Sequence, residues 1–401
     1  MNTERELILS LLKRIVSGPR PAEPIEALIK ASLDWQRLND LAVHHEIVPF
    51  IYQGLKEKQG LVPVDIFSFL KNTYYCTLTR NQYLIEQALA IFAEFEKQGV
   101  PLLPLKGIAL LKDIYAGRPV RTMTDIDLLV RSEDLGQAEK IFDRLGYRKE
   151  LYGLKEEYFK EKECHFPFYK KSPERFSTYV ELHFSILADT TTKAMMPGIW
   201  KRIRRLEDAQ GDGFWALSPE DTVIAHALHQ RRFGKMLCLK YALDTALILK
   251  KYRSRFDWSY LSATAQEAKI SSSLFFLLWQ TKAFLGTMIP QEIEKALRVP
   301  GWKRRLITSL IEKNTFLLPA QIPIKKVYLR CHFLLYDTIR QPLCHIIDIP
   351  QEQFAKFYGL QPYAKKTAFW HKYRFLYIPL APILKRLPRR ELTAQGGLAQ
   401  R

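Results

Sequence analysis

Two carboxylates one residue apart in an apolar run are the first sign of chemistry in this sequence, at Asp125-Ile126-Asp127-Leu128-Leu129-Val130. In an extended strand alternate side chains share a face. Asp125 and Asp127 then point one way while Ile126, Leu128 and Val130 face a core. Carboxylates roughly 6.5–7 Å apart on one face repel each other unless a cation lies between them. A divalent ion with hard oxygen ligands, Mg²⁺ or Mn²⁺, answers that need. The bland reading is the solvated polar face of an edge strand. If the carboxylates do repel, neutralising Asp127 should leave the melting temperature of the metal-free protein equal or higher.

Other residues bear on the same chemistry. Lys106-Gly107 joins an apolar run to a helical pattern. Free backbone N–H groups and the helix dipole favour an anion there, and glycine allows a phosphate to approach closely. In Tyr179-Val180-Glu181-Leu182-His183-Phe184 the alternation returns, with Glu181 and His183 on one face. Glu181 as a third acid on a neighbouring strand would complete a two-metal site. His183 would orient Glu181, bind substrate, or simply line a cleft rim. Arg121 stands just before the acidic strand, placed to meet a triphosphate or to pair with Asp125 or Asp127. His226 and His229 lie at i and i+3, a spacing that can hold zinc. They lack an H-E-x-x-H pattern and a third ligand, which favours helix packing or a substrate-facing role. Arg231, Arg232 and Lys235 suit phosphate contacts or a solvated face equally.

The elements that must position these residues follow from hydrophobic period. From Glu4 to about Gly99 apolar residues recur at three and four, as in Leu84, Ala88, Ile91, Phe92 and Phe95, and Pro19 and Pro21 break the first helix from the next. Val100 to Leu105 is a candidate strand whose two prolines place it near an edge or a strand end. A helix from Lys106-Gly107 through Tyr115, a strand at Asp125 to Val130, a helix at Glu133 to Leu145 capped by Gly146, and a strand at Tyr179 to Leu187 complete the alternation. Beyond Asp208 strand signals fade. Ser218-Pro219-Glu220-Asp221 starts a helix with serine as N-cap, and helical patterns continue to Phe284. The predicted fold is α+β, a small mixed β-sheet flanked by N- and C-terminal helical regions. The expected division is residues 1–99 helical, 100–207 the α/β core, 208–300 helical and 301–401 a basic helical region.

Composition narrows the classes. The chain has 401 residues, 47% hydrophobic and 26% charged, which excludes collagenous, low-complexity and largely disordered proteins. Net charge is +19, and Gly301 to Arg401 holds 18 basic and 5 acidic residues, so the last hundred residues carry +13 of it. Such an excess suits an anionic partner: nucleic acid, nucleotide polyphosphate, anionic glycan or membrane surface. Lys365 to Arg390 has eight Lys/Arg and no acid, interleaved with Phe369, Trp370, Tyr373, Phe375 and Tyr377. That pattern fits peripheral contact with an anionic surface, or rings docked on the body with charges solvated. No RNA- or DNA-binding motif accompanies it. The five cysteines form no CxxC pair, no signal peptide opens the chain and no stretch spans a membrane, so the expectation is a cytoplasmic protein.

The run Leu105-Lys106-Gly107…Tyr115…Arg121-Thr122-Met123-Thr124-Asp125-Ile126-Asp127…Leu145-Gly146-Tyr147 resembles the uncharacterised nucleotidyltransferase family of the DNA polymerase beta-like superfamily. The likeness extends to Asp34-Trp35, Val48-Pro49, Leu217 to Asp221, His226 and Asp244, over roughly residues 30–285. It implies transfer of a nucleoside monophosphate from an NTP to an acceptor with release of pyrophosphate, in a family found in bacterial polysaccharide and natural-product gene clusters. The implied catalytic metal ligands are Asp125, Asp127 and Glu181, holding Mg²⁺ or Mn²⁺; Lys106, Gly107, Arg121 and His183 would bind the nucleotide. Ile108 stands where the superfamily turn has serine, and the third acid is Glu where Asp is usual. The alternative is a catalytically inactive binding module for a nucleotide, glycan intermediate or protein partner.

Overall fold

A computed structural model describes residues 3–18, 25–152, 154–172, 176–186, 190–207, 213–231, 237–318, 321, 324–347, 351–361 and 364–377. Two compact units follow one another along the chain, Met1–Asp337 and Thr338–Arg401. The first opens with helices α1 (Thr3–Ser17), α2 (Ile25–Lys30), α3 (Trp35–His44), α4 (Val48–Leu55) and the 34-residue α5 (Val64–Lys97). Asp34 caps α3 by accepting the Arg37 N–H at 2.9 Å, and Pro49 sits in the first turn of α4, where its missing N–H costs nothing. Pro19 and Pro21, the expected helix break, lie outside the described residues.

The α/β segment holds β1 (Leu103–Pro104), α6 (Gly107–Asp113), β2 (Ile126–Leu129), α7 (Leu135–Arg144), β3 (Arg148–Lys149), α8 (Glu156–Tyr158), β4 (His165–Lys170) and β5 (Thr178–His183). They form a five-stranded sheet in the order β1-β2-β5-β4-β3. The β2–β5 pair is parallel and the other pairs antiparallel, so the fold is α+β with a mixed sheet, as predicted. Alternation fixes its two faces. Ile126, Leu128, Phe166, Phe168, Val180 and Leu182 are all almost completely buried on one face. There Phe142 of α7 stacks on Phe168 with ring centroids 4.6 Å apart, and Phe95 of α5 meets Phe142 edge-on at 5.7 Å. The other face carries the polar residues.

Several boundaries differ from expectation for local reasons. The Val100–Leu105 run yields only the two-residue β1, at the end of the sheet order where its prolines are tolerated. Asp125 lies one residue before β2 rather than within it. Leu187, the expected end of β5, falls outside the described residues. β4, in a segment for which no strand was expected, lies inside the sheet despite Pro167, which contributes a carbonyl to the Glu150 N–H at 2.9 Å. The hairpin of β6 (Arg204–Glu207) and β7 (Gly213–Ala216), following α9 (Thr190–Lys201), was also unforeseen.

The helical remainder of this unit is α10 (Pro219–His229), α11 (Leu239–Lys251), α12 (Trp258–Glu267), α13 (Ser271–Leu285), α14 (Gln291–Ala296), α15 (Gly301–Asn314) and α16 (Ile324–Leu335). Ser218 caps α10 as expected, accepting the Asp221 N–H at 3.0 Å. One buried apolar cluster runs through the unit from α1 to α16. The second unit holds α17 (Arg340–Ile347), α18 (Gln351–Tyr358) and α19 (Lys365–Lys372), with Phe354 and Tyr377 buried against Tyr358 and Trp370. Among the described residues no helix is long and apolar enough to cross a membrane.

Candidate active site

Parallel pairing of β2 with β5 sets Asp127 directly opposite Glu181 and Leu129 opposite His183. Antiparallel pairing of β5 with β4 then sets His165 opposite His183. The sheet thus brings Asp127, Glu181, His183 and His165 to one polar face, with Asp125 at the entrance to β2. Lys106, the residue before α6, donates from Nζ to Asp127 Oδ1 at 2.7 Å. His183 Nε2 lies 3.3 Å from Asp127 Oδ1 and 3.3 Å from Glu181 Oε2, and His165 Nε2 is 3.8 Å from Glu181 Oε1. Asp127 and His183 have side chains 9% and 3% exposed, whereas Glu181 is 25% exposed. The cluster is reached from the Glu181 side.

These contacts divide the charge unevenly. Burial would raise the Asp127 carboxyl, but the Lys106 ammonium and the His183 hydrogen bond hold it well below the usual range. Burial opposes ionisation of Glu181 too, but its hydrogen bond to His183 together with the charges of His183 and His165 brings it to about 2. His183 is held up at about 10, because Asp127 and Glu181 overcome the burial that disfavours its charge. Asp125 goes the other way: burial, then repulsion from Asp127 and Glu181, pushes it up to about 6. The cluster therefore carries more carboxylate than Lys106 and His183 neutralise, and its hard oxygen donors fit an added dication.

A set of clamps holds the loop into β2. Asn81 of α5 donates to the carbonyls of Pro119 and Arg121, both at 2.7 Å. Lys240 of α11 pairs with Glu46 and donates to the Thr122 carbonyl at 3.2 Å. The Arg121 guanidinium, expected near the triphosphate or the aspartates, is buried against Asp244 of α11 at 2.9 Å, and Asp244 also accepts the Tyr115 hydroxyl at 2.7 Å. Burial disfavours the charged guanidinium, yet Asp244 together with Tyr115 and Tyr241 holds the Arg121 pKa above its usual value. A Cβ on Gly107 would fall 2.1 Å from the buried Met123 Sδ and 3.8 Å from an Arg121 nitrogen, so the glycine lets the turn sit on this loop.

The remaining candidates fall elsewhere. His226 and His229 both pack beside Tyr241, with ring centroids 6.0 and 5.2 Å away. The Arg231 Nε donates to Ser273 at 2.6 Å; Arg232 and Lys235 are outside the described residues. A groove of 760 Å³ between α3 and α5, lined by Gln36, Asn39, Val43 and Phe69 among others, includes none of the acid cluster. Sequence reasoning missed His165, which the alternation His165-Phe166-Pro167-Phe168 could have flagged, and it passed over Asn81, whose partners only the fold reveals.

The chain belongs to the uncharacterised nucleotidyltransferase family, which matches residues 31–286, from just before the Asp34 cap of α3 through α13. No match was found among curated proteins or among solved structures.

Proposed function

We propose that this protein is a metal-dependent nucleotidyltransferase that moves a nucleoside monophosphate from an NTP to an acceptor and releases pyrophosphate. The observation that carries the reading is the direct pairing of Asp127 with Glu181 on parallel strands, beside Asp125, in a member of a nucleotidyltransferase family. Asp125, Asp127 and Glu181 would hold Mg²⁺ or Mn²⁺, which when bound offsets the charge of the triphosphate and makes the acceptor hydroxyl a better nucleophile. Lys106, freed from Asp127, and the Gly107 N–H would hold the β,γ-phosphates. His183 orients Glu181. Arg121 acts through Asp244 as a positioning residue beneath the Lys106-Gly107 turn. Such catalysis rests on positioning and charge stabilisation. An NTP donor would be met in the cytoplasm, and the exposed cations of α19 with Phe369 would bring the protein to anionic surfaces.

The test is pyrophosphate release from each of the four NTPs with Mg²⁺ or Mn²⁺ and candidate small-molecule, glycan and protein acceptors. Release that depends on both the metal and Asp127 is the expected result. The second reading is a binding module without turnover. Ile108 after Gly107 favours it, and so does the Lys106 ammonium seated on Asp127. NTP binding with no pyrophosphate from any acceptor would decide for it.

A further inference from the structure

Two imidazoles share the face that carries the carboxylates. His165 and His183 are cross-strand partners with ring centroids 4.9 Å apart, and each presents Nε2 to a different oxygen of Glu181. The ligand atoms of His165, Glu181 and His183 all lie within 4.8 Å of one another. The His165 Nδ1 is 3.1 Å from the Glu163 carbonyl, which can only accept, so in the neutral ring the proton sits on Nδ1 and the Nε2 lone pair faces Glu181. A backbone carbonyl that fixes the outer nitrogen is the usual means of aiming an imidazole at a metal. Both histidines stand on paired strands, so the backbone already sets their spacing.

We propose that His165, Glu181 and His183 form a binding site for a first-row transition dication, distinct in preference from the oxygen-only pair Asp125 and Asp127. Once the ion displaces the Nε2 proton that His183 holds between Asp127 and Glu181, two imidazole nitrogens and one carboxylate favour borderline ions over Mg²⁺, which takes oxygen ligands and keeps its waters. At metal–nitrogen bonds of about 2.0–2.1 Å, tetrahedral ligands stand roughly 3.4 Å apart. The 3.3 and 3.8 Å separations from Glu181 bracket that figure. The sheet would then hold two unlike ions side by side with Glu181 shared between them: a transition ion on the β4–β5 pair, and Mg²⁺ at the start of β2. Only the Mg²⁺ half rests on the proposed function; the transition-metal half stands on its own donors.

The experiment uses the full chain stripped with chelator and titrated with Co²⁺ in excess Mg²⁺. Mn²⁺ loading gives a second spectroscopic probe. We expect one Co²⁺ held against Mg²⁺ and nitrogen hyperfine couplings from imidazole on bound Mn²⁺. His165→Gln should weaken Co²⁺ binding by about tenfold or more, with Mg²⁺ affinity unchanged. The couplings are read on the wild type, so the test survives a variant that fails to fold. Co²⁺ bound no tighter than Mg²⁺, an absence of imidazole couplings, or undiminished binding in a folded His165→Gln chain each overturns the site. Pyrophosphate release in Mg²⁺ with no Co²⁺ binding overturns this inference and leaves the nucleotidyltransferase reading. Co²⁺ held through imidazole by a chain that releases no pyrophosphate supports this site and overturns that reading.

Discussion

Asp125 and Asp127 look equivalent in the sequence, but their surroundings separate them. Asp127 is ion-paired to Lys106 and bonded to His183, whereas Asp125 is pushed up to about 6 by burial and its acidic neighbours. Both Asp125→Asn and Asp127→Asn should cut pyrophosphate release by roughly a thousandfold or more, since each removes a proposed metal ligand. Their stabilities should diverge. Asp127→Asn leaves the buried Lys106 ammonium unpaired and should cost about 3 kcal/mol, while Asp125→Asn should leave the melting temperature equal or higher. The expectation of an unharmed Asp127→Asn is thereby revised, because the repulsion on which it rested falls on Asp125. Equal melting temperatures for the two variants would contradict this division.

A second prediction at this scale concerns His226, wholly buried with neither ring nitrogen hydrogen-bonded. Burial first, then the charges of Arg121, Lys106 and Lys240, lowers its pKa to about 4 from 6.5. The unfolded chain therefore takes up that proton first. The neutral ring's contribution is fully present above pH 6.5 and is lost as pH falls toward 4. Denaturant unfolding of His226→Gln between pH 6.5 and 4 should show a shallower loss of stability than wild type, by at most about 3 kcal/mol.

At the level of elements, the clearest claim concerns the contact of α11 with the loop before β2. Asp244 serves Arg121 and Tyr115 at once in a buried setting. Asp244→Ala should destabilise by about 3–5 kcal/mol, because the guanidinium is left buried without its counter-charge. The double change Arg121→Met, Asp244→Leu should recover much of that loss in a thermal melt. If the double variant is as unstable as the sum of the singles, the clamp is not a coupled unit.

The same scale shows what the sequence could tell. The acidic strand was legible because three apolar residues alternate with two acids, and α10 was legible because Ser218-Pro219 is an unambiguous start. β4 was not legible. Pro167 argues against an interior strand, and only the shortness of β3 permits it there. The partner of Arg121 was hidden too, since Asp244 lies 123 residues downstream and no spacing rule reaches that far. Glu181 and His183 were found as a strand face, but their closeness to Asp127 required the parallel register.

For the whole molecule, charge and surface point to its second unit. Phe369 and Phe375 are 54% and 63% exposed, and Lys365, Lys366 and Lys372 are exposed around them. Lys365, Phe369 and Lys372 fall at i, i+4 and i+7, on one stripe of α19. Rings that reach an acyl boundary beside cations that meet lipid phosphates would suit an anionic bilayer surface. In low salt the full chain should co-sediment with phosphatidylserine-containing vesicles and not with neutral ones. Phe369→Ser with Phe375→Ser should lower the bound fraction several-fold. Undiminished binding by that variant would assign the surface charge to solubility alone.

The parallel pairing of β2 and β5 also bears on how the protein is made. His183 lies 56 residues beyond Asp127, and α7, β3, α8 and β4 must be synthesised in between. A parallel pair cannot be closed by a tight turn. On the ribosome, Asp125 and Asp127 therefore emerge well before Glu181 and His183 exist to face them. A nascent chain that has yet to produce β5 has the acidic motif without the site, so the proposed ion capture would wait until the strands have docked.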